Sequence, residues 1–159
     1  MSSSGTEGPV GRLLAESFLA LAREQPALHA RMCGQLQDRV VETRVGAERF
    51  FLCFTPDGAR VETAERPADA RILAGRRALA DVLGARLSLT EAVLTDALEV
   101  VGPLASLMAL HEGLVTYVHG AVRCPSFPSL LARLRAVCRE DAPSHSSEGG
   151  QLHDRRDRG

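Results

Sequence analysis

Tryptophan and lysine are both missing from the 159 residues, and there is a single tyrosine. All nineteen basic side chains are therefore arginine, set against twenty acidic ones for a formal net charge of −1. A chain so balanced has no net field to draw it to nucleic acid or to an anionic membrane. The four cysteines, Cys33, Cys53, Cys124 and Cys138, include no C-x-x-C pair. Zinc sites and dithiol redox centres need close thiol pairs, so neither is expected, and each thiol reads as a small buried hydrophobe. No G-K-[ST] phosphate loop and no G-x-S-x-G nucleophile elbow occurs. The apolar run 103–122 is interrupted by His111, Glu112 and His119, which argues against a membrane span. The opening MSSSGTEGPV lacks a basic and an apolar leader region, so a cytoplasmic address is the expectation.

What is present is enough for one domain with a real core: 159 residues, 45% of them apolar. Residues 1–9 and 141–159 are polar and read as tails around a domain at 10–140. Leu14, Phe18, Leu21 and Ala22 recur at helical spacing and predict a helix over about 10–24. Gln25-Pro26 breaks it, because the residue before proline disfavours helix. A second helix over 27–36 carries Leu28, Met32 and Leu36 on one side.

The period then falls to two. Val41, Thr43 and Val45 alternate with Glu42 and Arg44, and Gly46-Ala47 permits a tight turn. Phe50, Leu52 and Phe54 face one way, Phe51 and Cys53 the other. Thr55-Pro56-Asp57-Gly58 has the residues of a reversal, Ala59 to Thr63 continues the meander, and 70–74 makes a fourth strand. This patterning predicts a mainly antiparallel sheet with one wet face. Helices return after Gly75, with Leu79, Val82 and Leu83 as a stripe, and Ser88 with Glu91 fits a capping box. Leu98, Val100 and Val101 form a fifth strand.

Pro103 is placed to open a helix over 103–119, with Gly120 able to end it. That helix has two apolar stripes. Leu104, Leu107, Met108, His111, Val115 and Val118 form one; Leu110, Leu114 and Tyr117 form the other. One stripe can pack on the sheet while the other faces a cavity. An amphipathic helix over 126–138 closes the domain.

The order helix, strand meander, ADARILAG, helices, TEAVLTDALEVVG, apolar helix resembles the sterol carrier protein 2 family of lipid-binding domains over residues 12–120. Ala68 to Ile72 is similar to the family's ADATI-type strand. Ala92 to Thr95 match its AFLTG segment, and Leu98, Val100, Gly102 and Leu104 match its L-x-V-x-G-D strand and the start of the next helix. Asp96 stands where the family usually has glycine, and Pro103 where it usually has an acidic residue. The resemblance implies an α+β fold, a five-stranded, mainly antiparallel sheet covered on one face by helices. It also implies an apolar tunnel between the two layers for fatty acyl chains, acyl-CoA, sterols or isoprenoids. The residues expected to wall it are Phe18, Phe50, Leu52, Phe54, Val93, Leu104, Leu107, Met108, Leu114 and Val115, although for any one such side chain a plain core is the commoner place. Each buried methylene of a guest contributes about 0.8 kcal/mol, so no charged anchor is required.

Polar candidates are few. His111 and His119 are eight residues apart, too far for a helical metal pair at three or four. Glu112 and His119 share a face as a charge pair, or as an acid–base pair. Arg76-Arg77 can meet a phosphate or simply water. The expectation is a non-enzymatic binder of an apolar small molecule, with no cofactor, no metal and no nucleic acid. The alternative is an accessory module that binds a protein partner in trans, as in isoprenoid-quinone biosynthesis.

Overall fold

The computed structural model describes residues 8–83 and 86–140. Apart from residues 8 and 9, the two expected tails lie outside the described residues. Helix α1 spans Pro9–Glu24 and α2 spans Pro26–Gln35. Each has a proline in its first turn, where the missing N–H would have had no helical partner. The strands are β1 (Val40–Val45), β2 (Glu48–Thr55), β3 (Gly58–Glu62), β4 (Ala70–Ala74) and β5 (Leu98–Val101). Between β4 and β5 lie α3 (Arg76–Leu83) and α4 (Leu89–Leu94); after β5 come α5 (Leu104–Ala121) and α6 (Phe127–Glu140). Pro103 proves to cap α5 from just outside, and the helix runs through Gly120 rather than ending there. The capping box is present: Ser88 Oγ accepts from the Glu91 amide at 3.1 Å, and the Glu91 carboxylate accepts from the Ser88 amide at 2.9 Å.

The five strands form one mixed sheet in the order β3-β2-β1-β4-β5. β1 and β4 run parallel, and the other neighbouring pairs are antiparallel. The β1–β2 turn is tight because Gly46 adopts φ +60°, where glycine carries no Cβ penalty. Register sets the two faces. Val41 opposes Leu52 and Ala70, Thr43 opposes Phe50 and Ile72, and Ile72 opposes Val100. These side chains share the helix-bearing face, as side chains two residues apart along a strand must.

α1 and α2 pack over β2 and β3. Phe18, Leu21, Met32, Leu36, Val41, Phe50 and Phe54 fill the core between them. Phe18 stands edge-on to Phe54 and to Tyr117, and Tyr117 edge-on to Phe127, with centroids 5.7–6.0 Å apart. Glu48 on β2 ties sheet to helix: its carboxylate accepts from the Val10 and Gly11 amides at 3.1 and 2.8 Å, capping α1 from 37 residues away.

The opposite face is polar, with a carboxylate buried at its centre. Glu42, 3% exposed, accepts from Arg44, Arg49 and Arg71 at 2.8–3.0 Å. Burial alone would raise its pKa, but the three guanidinium hydrogen bonds outweigh it and hold the carboxyl down to about 2. The Arg49 guanidinium lies 5.2 Å over the Phe51 ring, which is fully buried.

Candidate functional site

α5 decides where the apolar surplus goes. It packs mainly on α2, and its buried residues are Ala109, Gly113, Thr116 and Gly120. These small residues recur at intervals of four, three and four, one side of a 3.6-residue helix. They let α5 approach so closely that a Cβ on Gly113 would lie 2.4 Å from Leu36 Cδ1, and one on Gly120 2.2 Å from Leu21 Cδ1. Thr116 Oγ1 donates to Gln35 Oε1 at 2.7 Å, and Tyr117 donates to Ser17 Oγ at 2.8 Å. Leu110 and Tyr117 pack against the core from the flank of this seam.

The ten residues expected to wall a cavity separate into two groups. Phe18, Phe50, Leu52 and Phe54 are buried in the cluster between α1, α2 and the sheet. Val93, Leu104, Met108 and Val115 are exposed, Leu104 to 74% and Met108 to 56%. Leu107 and Leu114 are half-buried. The stripe expected to face inward thus points to solvent, because the small-residue seam holds the opposite side of α5 against α2. Leu94 on α4, 78% exposed, and Val101 on β5 add to the open apolar surface.

The helix-bearing face of the sheet is sealed unevenly. Over β1 and β2 it is buried, whereas Ile72, Leu98 and Val100 over β4 and β5 are half-buried. Two hollows open to the surface. One of about 440 Å³ lies between α2 and α5, lined by Leu28, Arg31, Gln35, Val115, His111 and Glu112 among others. The other, of about 910 Å³, lies at the start of α3 and the end of α6, where Arg76, Arg77, Arg86 and Arg139 gather with Asp81. Neither is the expected apolar tunnel, and of the ten residues only Val115 lines either of them. Arg76 is spoken for in part: it reaches the Val137 carbonyl at 3.4 Å and the Glu48 carboxylate at 3.9 Å.

Cys33 Sγ lies 3.7 Å from His29 Nε2 as a thiol–imidazole pair. Burial pushes the Cys33 thiol up and the His29 imidazole down, so both partners are held neutral, opposite to what an activated thiolate needs. Burial likewise raises Cys124, with Glu24 adding to the effect. Burial pushes Tyr117 up to about 12 despite its bond to Ser17. Among the described residues no group of three His, Cys, Asp or Glu is placed to hold a metal ion. No helix among them is long and apolar enough to cross a membrane.

No protein-family model and no curated protein matches the chain. Solved structures do. A domain described as the UbiJ-SCP2 ubiquinone synthesis protein superposes with a TM-score of 0.55 at 17% identity, covering 77% of this chain and 97% of that one. The sterol carrier protein domain 2 of Helicoverpa armigera gives 0.55 at 11% identity, covering 79% and 98%. Sterol carrier protein 2 from Yarrowia lipolytica, in its apo form, gives 0.51 at 11%, covering 74% and 95%. Five strands, flanking helices and near-complete coverage of each neighbour agree in one conclusion: the chain has the sterol carrier protein 2 fold.

Proposed function

We propose that this domain is a non-enzymatic binding protein for an apolar ligand, such as a fatty acyl chain, acyl-CoA, sterol or isoprenoid. The ligand lies on the helix-bearing face of the sheet over β4 and β5, with α5 as the moving wall. One observation carries the reading: on a single continuous face, the β1–β2 half is sealed while Ile72, Leu98 and Val100 stay half-covered. Ligand pockets are lined mainly by such side chains. α5 can shift over the sheet because its contacts run chiefly to α2 and not to the strands. The neutral Cys33–His29 pair supports binding without chemistry.

Native mass spectrometry of the freshly expressed protein, followed by titration with a fluorescent fatty acid, tests this. Retained lipid or saturable probe binding is expected, weakened by Val100→Arg in a protein whose circular dichroism is unchanged. A ligand-free protein that also ignores fatty acid, acyl-CoA and sterol probes ends the proposal.

A further inference from the structure

The outward side of α5 has a regularity that the ligand reading does not use. Leu104, Met108, His111, Val115, Val118 and Val122 follow one another at intervals of four, three, four, three and four. All six are exposed, and Val122 continues the row just past the last helical residue. This is the spacing of a two-stranded coiled-coil seam, with Met108, Val115 and Val122 falling at one core position and Leu104, His111 and Val118 at the other. It lies on roughly the opposite side of α5 from the Ala109–Gly113–Thr116–Gly120 seam, with His111 and Val115 also bordering the hollow between α2 and α5.

We propose that this face pairs with the same face of a second copy of the chain, the two α5 helices lying parallel. Three features favour this occupant. Valine at two of the three positions of the first set, with Leu104 in the second, fits the two-stranded pattern. The single polar layer, His111 against His111, fixes the register. Flanking charge selects the direction: Glu112 is the lone carboxylate on α5, and antiparallel pairing would set it against its twin. Parallel pairing places it beside Leu107 and places His119 beside Leu114. A lipid surface fits less well, since α5 itself carries no arginine beside its apolar row, and of the polar residues flanking that row Glu112 is acidic. The paired helices bury about 1,000 Å², the lower end for a specific interface, so the dimer is weak and concentration-dependent.

Sedimentation velocity from micromolar to near-millimolar concentration reads this directly. The mass is expected to rise from 17.1 kDa toward twice that value. Val115→Arg, at a partly exposed position, is expected to leave the melting temperature unchanged and hold the protein monomeric. His111→Cys is expected to form a disulfide-linked dimer under mild oxidation, the four native thiols being buried. A protein monomeric throughout, or a dimer indifferent to Val115→Arg, overturns the proposal. Cross-linking by the Leu104→Cys/Val122→Cys double variant in place of His111→Cys overturns the parallel arrangement.

Discussion

Replacing Gly113 or Gly120 by alanine sets two effects of opposite sign against each other. In a helix interior, glycine to alanine is worth about 1 kcal/mol of stabilisation from propensity alone. The packing says otherwise. A Cβ at 113 would meet Leu36 at Cδ1, Cγ and Cδ2, at 2.4, 2.7 and 3.3 Å, and Leu36 is buried beneath α5. A Cβ at 120 would meet the fully buried Leu21, chiefly at its Cδ1. Overpacking of this kind costs about 1–3 kcal/mol. Because Gly113 strikes the branch point of its neighbour and Gly120 only a methyl end, Gly113→Ala is the more damaging. The expected net loss is about 1–2 kcal/mol for Gly113→Ala and about 0–1 for Gly120→Ala. At this chain length each kcal/mol moves the melting temperature by roughly 2–4 °C. Gly34→Ala in α2 is the control: nothing lies within 4 Å of its added Cβ, so it is expected to raise the melting temperature. Differential scanning calorimetry of the three variants decides the matter. If Gly113→Ala melts higher than the parent, like the control, the close seating of α5 on α2 is refuted.

Two further substitutions probe the sheet and a turn. The Glu42 carboxyl has its folded pKa at about 2, below its ordinary 4.5, so its stabilisation is present above pH 4.5 and is lost as pH falls toward 2. Glu42→Gln is expected to destabilise the neutral protein by about 1–2 kcal/mol and to flatten that acid limb, read by urea unfolding at several pH values. Asp96 follows α4 at φ +56°, a conformation that costs a residue with a Cβ about 1 kcal/mol. Asp96→Gly is expected to stabilise by up to that amount in thermal unfolding, and a loss of stability would contradict the assigned backbone.

Element order was legible because hydrophobic period changes from 3.6 to 2 and back, and the alternation of Phe50, Leu52 and Phe54 named the core face of β2. The capping box at Ser88 and the break at Pro26 rest on local chemistry and were legible for that reason. The parallel pairing of β1 with β4 was not, since an alternating strand records which face is buried but not which neighbour it meets. The orientation of α5 was hidden more deeply. Hydrophobic stripes rank leucine and valine above glycine and threonine, so Ala109, Gly113, Thr116 and Gly120 carried no signal. Yet close approach selects small residues, and the large ones were left outside. Asp96 was visible as a departure from the glycine of the resembled motif; its left-handed backbone shows why glycine suits that place. Glu48 as the cap of α1 gave no sequence signal, because the two are joined only through the folded sheet.

The parallel partnership at the centre of the sheet also constrains how the molecule is assembled. Tight hairpins bring β2 to β1 and β3 to β2 as the chain emerges, but no tight turn can deliver a parallel neighbour. One edge of β1 therefore waits, its amides and carbonyls unpaired, until residues 70–74 arrive. A nascent chain halted before Ala70 would display that edge beside Val41 and Val45, an invitation to strand exchange between stalled copies.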